Sequence, residues 1–385
     1  MVGQKRVPSR EGGIEVAVEA LAVRMAAAGH DVTLYTCRRW GIDQKRKNDK
    51  MGNVWDYCGV HIKEIPVINA RGVTAVITSF FSTISALSGK YDCIHYHAEG
   101  PAAMMFIPHL FGIRTVVTIH GLDWQRSKWG RFASWYLKQG EKIAAACADE
   151  IIVLSRSAQE YFLKNYHRST VMIPNGINRP VNRTAQKITR KWGLEKDNYI
   201  LYLGRIVPEK GLELLIQAFR NVKTEKKLVI AGASSDTEAF YKRLQKLAEP
   251  DKRIVFAGFV QGEILDELYS NSYLYCLPSD LEGMPISLLE AMSYGNCCLC
   301  SDIEECASVV DTYGYLFKKG DMNDLGRSLQ ILCDQPDLVN KCRVDVSDYV
   351  CNQYDWNKIT RKTLGLYWAE GDGELENRRE MGHID

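Results

Sequence analysis

The sequence predicts an α/β protein built from two doubly wound parallel domains, and three observations carry that reading. Apolar runs of about five residues alternate with amphipathic helical segments along most of the chain, the βα pattern of parallel sheets covered on both faces. The 385 residues are more than one core usually organises and suit two domains. A glycine-initiated helix followed by a strand occurs twice, at Gly12-Gly13 and at Gly211, which suggests two similar units.

Each element follows from its own residues. Met1-Val2-Gly3 leaves almost no strand ahead of the loop 4–13, so the first strand is expected to be missing or supplied by very few residues, in a chain shortened relative to its relatives. From Gly13 a helix with Ile14, Val18, Leu21 and Met25 on one side runs to Gly29-His30, and the strand 32–36 follows. Strands at 93–97, 115–119 and 150–154 complete the first half. Pro174-Asn175-Gly176 closes it, and the polar stretch to about Asn198 is the expected hinge.

The second half repeats the plan. Strands are expected at 199–203, 227–231, 253–257, 273–277 and 297–301, with a helix from Gly211 that turns Leu212, Leu215, Ile216 and Phe219 inward. A Glu-Gly-Met-Pro turn leads into a helix with Pro285 at its first position, which Gly295 stops. The last helix, about 354–369, carries Trp356, Ile359, Leu364, Tyr367 and Trp368 and needs a partner for its aromatic side. The expected domains are 1–178 and 179–353, then a helix at 354–370 and a polar, disordered tail at 371–385.

Composition bounds the function. With 46% hydrophobic and 25% charged residues, the chain is an ordinary globular one. No secretory leader pattern opens it, and no apolar run approaches the roughly 18 residues of a membrane span, so a cytosolic protein is expected. Twelve cysteines fall mostly in apolar patterns and read as reduced core thiols, and the C-x-x-C of Cys297 and Cys300 has no second pair at zinc spacing. The net charge of +2 conceals halves of +7 (residues 1–178) and −5 (179–385). The basic half suits anionic lipid or an acidic acceptor, with ordinary solvated charge as the alternative. Nucleic acid is a poor fit, because the total is near neutral and no groove-reading module is present.

Five motifs bear on the chemistry. In SDLEGMPISLLEAMSYG, Glu282 lies in the loop before a helix whose first N–H groups favour anions, and Glu290 sits among Leu288, Leu289, Ala291 and Met292. A carboxylate in that setting needs hydroxyl or cationic partners, which a sugar ring supplies; a capping acid and a helix salt bridge are the alternative. GRIVPEKG places Gly204, Arg205 and Lys210 after a strand, where an arginine fork and a lysine suit a diphosphate leaving group. THGLDW puts His120 and Asp123 beyond a strand's carboxyl end, and CIHYHAEGP does the same for His97 and Glu99. SREGGIE lacks G-x-G-x-x-G, which argues against a dehydrogenase.

The E-x7-E pair Glu282 and Glu290, with GRIVPEKG upstream and SREGGIE near the start, resembles the retaining glycosyltransferases of family 4, across nearly the whole chain except the short N-terminus. The resemblance implies the GT-B architecture, two Rossmann-like domains facing a central cleft with the last helix crossing back to the first. It implies transfer of a sugar from a nucleotide diphosphate donor, UDP being commonest in the family, with retention. By position, Arg205 and Lys210 stabilise the leaving diphosphate, Glu282 contacts the sugar, Gly283, Met284, Pro285 and Ile286 hold sugar and phosphates, and Glu290 binds the ribose. Gly204 shapes the turn, Gly12 and Gly13 approach donor phosphate and acceptor, and His120 lies beside the reacting carbon. His97, Glu99, Asp123, Trp124 and Arg126 are the acceptor-side candidates.

A glycan or lipid-linked acceptor of cell-surface polysaccharide synthesis is expected. The basic, aromatic stretch 124–142 and the cationic loop 38–50 suit contact with the inner face of the membrane, with a solvated helix as the alternative. No D-x-D occurs in the sequence, so no metal and no cofactor is expected. The competing readings are a transferase for a small sugar or sugar phosphate, a sugar-nucleotide epimerase of the same architecture, and a non-catalytic partner subunit.

Overall fold

The computed structural model describes residues 1–10, 12–39, 54–67, 74–126, 130–234 and 238–368. The chain divides into two compact units, Met1–Asn175 together with the segment from Trp356, and Gly176–Asp355. Each has parallel strands with helices between them, the α/β class the alternating pattern predicts.

In the first unit β1 (Thr33–Arg39), β2 (Val54–Tyr57) and β3 (Val60–Val67) form one sheet, in the order β1-β3-β2. β4 (Cys93–His97), β5 (Arg114–Ile119), β6 (Glu150–Val153) and β7 (Val171–Met172) form another, parallel throughout. Val2 joins them, bridging Tyr35 on one side and Tyr96 on the other. Its N–H donates to His95 O at 2.9 Å and its carbonyl accepts from His97 N at 2.8 Å, so a very short segment does occupy the place of the expected first strand. A Cβ on Gly3 would lie 2.2 Å from the His97 carbonyl oxygen, which is why glycine follows.

The helices α1 (Gly13–Ala27), α2 (Thr74–Leu87), α3 (Glu99–Ala102), α4 (Phe106–Leu110), α5 (Arg131–Cys147) and α6 (Arg156–Tyr166) complete the fold up to Asn175. On α1 the predicted face is the buried one, with Val18, Leu21 and Met25 inside.

The second unit holds one six-stranded parallel sheet in the order β10-β9-β8-β11-β12-β13. Its strands are β8 (Tyr199–Leu203), β9 (Lys227–Ala231), β10 (Ile254–Gly258), β11 (Leu274–Leu277), β12 (Cys298–Ser301) and β13 (Gly314–Phe317). The order reverses between β8 and β11, and in sheets of this kind ligands bind at the carboxyl ends flanking such a reversal.

Helices α7 (Lys187–Trp192), α8 (Leu212–Arg220), α9 (Glu238–Ala248), α10 (Glu263–Asn271) and α11 (Ile286–Ser293) are followed by α12 (Glu304–Val310), α13 (Met322–Asp334), α14 (Pro336–Arg343) and α15 (Val346–Gln353). Buried tyrosines help fill the core with their hydroxyls satisfied inside it; Tyr199 Oη donates to Leu268 O at 2.6 Å, and Tyr275 Oη to Leu203 O at 3.0 Å.

The last helix, α16, is shorter than its aromatic pattern suggests, spanning Trp356–Leu364 with a turn to Trp368. It belongs to the first unit, as the aromatic side required. Trp356 packs under Arg24 of α1, the Tyr367 hydroxyl lies 2.7 Å from His95 Nδ1, and Arg114 Nε donates to Leu366 O at 3.1 Å. Among the described residues no helix is long and apolar enough to cross a membrane.

Candidate active site

Apart from Gly13, the residues predicted for donor binding gather at the carboxyl ends of β8 and β11. After β8 the chain turns through Gly204 and Arg205 into a short helical turn, Pro208–Lys210. Tyr202 Oη donates to Arg205 O at 2.8 Å and fixes the turn from inside. Gly211 then takes a left-handed conformation, φ 66°, and a Cβ there would lie 1.9 Å from Pro278 O of the loop after β11. The two loops are further tied by the Asp280 N–H, which donates to Glu209 O at 2.9 Å.

This packing brings Lys210 and Glu282 together, Nζ to Oε1 at 2.5 Å, with side chains only 11% and 8% exposed. Sequence reasoning assigned the lysine to the diphosphate and the glutamate to the sugar as separate groups; the structure makes them one ion pair. Glu290, on the second turn of α11, accepts a hydrogen bond from Tyr269 Oη at 3.0 Å. Burial first, and the Glu290 charge second, push the Tyr269 hydroxyl well above its ordinary pKa, so it stays a donor to the carboxylate.

One detail differs from expectation. Pro285 is the residue before α11 and not its first: its ψ of 102° is extended, and its carbonyl accepts from Leu288 and Leu289 at 3.0 and 3.3 Å. Gly283 and Met284 therefore lie in the loop, and Ile286 opens the helix. The thiols of the C-x-x-C do not face each other, because Cys297 lies against Cys342 and Cys300 against Cys306; all twelve cysteines are free.

Sequence reasoning missed Gly232, Tyr269 and Ser279. Gly232 has φ 147°, and a Cβ would lie 1.8 Å from Gly204 O, so the end of β9 presses directly on the arginine turn. Ser279 Oγ is buried with no hydrogen-bond partner, in the loop that carries Glu282. Gly232 and Tyr269 have no motif around them and are revealed only by contacts distant in sequence, whereas Ser279 opens the Glu282 motif and is marked only by its burial.

In the first unit the predicted residues form a buried polar network. His97 Nδ1 lies 3.1 Å from His120 Nε2, and the His97 ring stacks on His95 at 4.2 Å. Burial lowers the His120 pKa to about 4, against a weaker pull from Asp123, and drives His95 and His97 well below the usual histidine range. All three rings are therefore neutral at physiological pH.

Glu99 was expected to present its carboxylate to an acceptor, but it is completely buried. Burial, then the neighbouring Asp123 and Glu141 charges, raise its pKa far above the carboxylate range. Trp124 is likewise tied to the protein: its indole N–H donates to Glu141 at 2.9 Å, and the Lys138 ammonium lies over its ring at 4.2 Å. Arg126 and Asp123 pair at 2.7 Å. His97 and Glu99 thus lie buried beside the loop bearing His120, where His97 Nε2 and both Glu99 carboxylate oxygens have no hydrogen-bond partner among the described residues, while Trp124 is held by Glu141.

Gly12 precedes α1 and Gly13 opens it; the Glu15 carboxylate turns back there, accepting from the Lys5 N–H at 3.3 Å. Residues 40–50 of the cationic loop, and Lys128 and Trp129 of the basic stretch, lie outside the described residues, as does the tail from residue 369.

Comparison with known proteins finds relatives for both units. A profile described as glycosyl transferases group 1 matches residues 184–345, and one described as glycosyltransferase family 4 matches residues 11–179. An uncharacterized glycosyltransferase of Methanocaldococcus jannaschii is 25% identical, over 95% of this chain and 97% of that protein. The UDP-Gal:alpha-D-GlcNAc-diphosphoundecaprenol alpha-1,3-galactosyltransferase of Escherichia coli is 24% identical over 72% of this chain and 75% of its own length. Among solved structures, the sucrose-phosphate synthase of Thermosynechococcus elongatus superposes with a TM-score of 0.78 at 21% identity, covering 92% of this chain and 93% of that one, a likeness of fold.

Proposed function

The chain belongs to the group 1, family 4 glycosyltransferases and is a glycosyltransferase of GT-B fold; from that premise we propose that it moves a sugar, with retention, from a UDP-linked donor to a lipid-linked glycan acceptor of cell-surface polysaccharide synthesis. The observation that carries the donor half is the Lys210–Glu282 pair at the sheet's reversal point, with Glu290 held by the Tyr269 hydroxyl on the helix that follows.

In this reading Arg205 and Lys210 take up the charge that grows on the diphosphate as the glycosidic bond breaks. Glu282 holds the sugar, the backbone from Gly283 to Ile286 holds sugar and phosphates, and Glu290 receives the ribose hydroxyls. Gly204 keeps the arginine turn close to the strand. In the first unit Gly12 and Gly13 offer bare backbone to donor phosphate and acceptor, His120 is the group for the reacting carbon, and Asp123 and Arg126 are acceptor contacts. The UDP-sugar and the lipid-diphosphate acceptor are supported by the likeness to the Escherichia coli galactosyltransferase, which is named for both. No metal and no cofactor beyond the donor is part of the proposal.

The test is a thermal-shift panel of UDP, GDP, ADP and dTDP on the parent and on Glu290→Ala, followed by turnover with lipid extracts and with free sugars. UDP at 100 times its Kd should add about 2.7 kcal/mol of stability. A shift with another nucleotide replaces the donor; turnover on free sugar alone replaces the acceptor; no shift with any nucleotide overturns the reading.

A further inference from the structure

Helix α2 is built inside out. Its buried side chains are Ser79, Ser82, Thr83 and Ala86, whereas Phe80, Phe81 and Ile84 are 41%, 51% and 43% exposed. Two of the inward hydroxyls have partners: Ser79 Oγ donates to Ala75 O at 2.8 Å, and Thr83 Oγ1 lies 3.0 Å from Tyr96 Oη; Ser82 Oγ is buried without one among the described residues. No residue of α2 is charged. An ordinary surface helix has the reverse arrangement, with its apolar stripe against the core.

The neighbouring helices extend the apolar face. α4 touches both α2 and α5, and at its end Leu110 and Phe111 are 77% and 70% exposed. On α5, Phe132 and Trp135 are exposed with their rings 5.8 Å apart. Eight of the sixteen large exposed hydrophobic side chains among the described residues lie on these three helices or at their ends, a concentration that single surface exposures do not produce.

Charge selects the occupant. From α2 through α5 the helices contain two carboxylates, Glu99 and Glu141, both fully buried, while Arg131 and Lys142 stand exposed on α5. The helices therefore present aromatic and aliphatic groups with cations and no exposed anion.

We propose that this face rests on an anionic lipid bilayer, its rings at headgroup depth and its cations against the phosphates. The docking is independent of the transfer chemistry and needs no sugar.

The test is co-sedimentation of the full chain with vesicles of phosphatidylcholine, with and without phosphatidylglycerol. The parent should pellet with the anionic vesicles and much less with the neutral ones. The variant Phe81→Ser/Phe111→Ser/Trp135→Ser should lose about tenfold or more of that partitioning, while keeping its melting temperature and nucleotide shift, since all three side chains are more than half exposed. Arg131→Glu/Lys142→Glu should lose the preference for anionic vesicles. Equal pelleting of parent and triple variant, or no pelleting with either vesicle, overturns the proposal. A concentration-dependent dimer that the triple variant abolishes also overturns it and gives the face to a second copy of the chain.

Discussion

Lys210 Nζ stands 2.5 Å from Glu282 Oε1, and the two side chains are about nine-tenths removed from solvent. Neither charge can be deleted without stranding the other in a low-dielectric loop. Glu282→Ala and Lys210→Ala should each destabilise the chain by about 3 kcal/mol and lower kcat by about 10²–10³. The double variant Lys210→Met/Glu282→Leu separates the two effects: stability should return while activity stays lost. Urea unfolding together with steady-state kinetics checks this, and a double variant as unstable as the singles would contradict the pairing.

Glu290 should matter for binding more than for the fold. Glu290→Ala is expected to abolish the nucleotide thermal shift, while Tyr269→Phe, which removes the anchoring donor and leaves the carboxylate, should weaken nucleotide binding by about tenfold, near 1.4 kcal/mol. Calorimetric titration of both variants gives the comparison. Equal, complete loss in both would mean that the tyrosine contacts the nucleotide itself.

Acid and alkali should each weaken the chain, through different groups. His120, His95 and His97 are held neutral by burial, so the unfolded chain takes up protons that the native one refuses. Their contribution is whole above about pH 6.5 and is lost as the pH falls toward 4. Glu99 has the opposite sign: its native pKa is raised, its contribution is whole below about pH 4.5, and it declines as the pH rises. Unfolding free energies measured across this range should peak in between, and Glu99→Gln should flatten the alkaline side. An unchanged alkaline slope in that variant would show that Glu99 is ionised in the native state.

The sequence has no D-x-D, and the diphosphate is assigned to Arg205 and Lys210. Turnover should therefore survive a chelator such as EDTA, within about twofold, whereas transferases that hold the donor through a metal lose it. Activity lost to the chelator and restored by magnesium or manganese refutes the assignment.

What the sequence made legible was set by local chemistry. The apolar strand runs, the glycine that opens α8 and the Glu282/Glu290 spacing depend on residues close together along the chain, and each stands where the pattern puts it. Pro285 was misplaced by one residue because proline fixes φ but not ψ, and ψ decides whether the helix has begun. The Lys210–Glu282 contact joins loops 72 residues apart, the Gly232 cradle depends on Gly204, and no periodicity reports either. Burial of Glu99 was illegible for a related reason. A lone glutamate after a strand normally reads as exposed, and only Glu141, Trp124 and the packing of Gly140 against the Glu99 carbonyl reveal the enclosed setting.

The chain enters its first unit at Met1, leaves it at Asn175 and re-enters at Trp356, whereas the second unit is a single uninterrupted stretch. On the ribosome this sets an order of maturation. Residues 176–355 can close their sheet as soon as they emerge, but residues 1–175, made earlier, must wait through all of that synthesis for Trp356 and Tyr367 to cover α1 and His95. The half synthesised first is thus the half completed last, and during that interval it is the part of the nascent chain most dependent on chaperone cover.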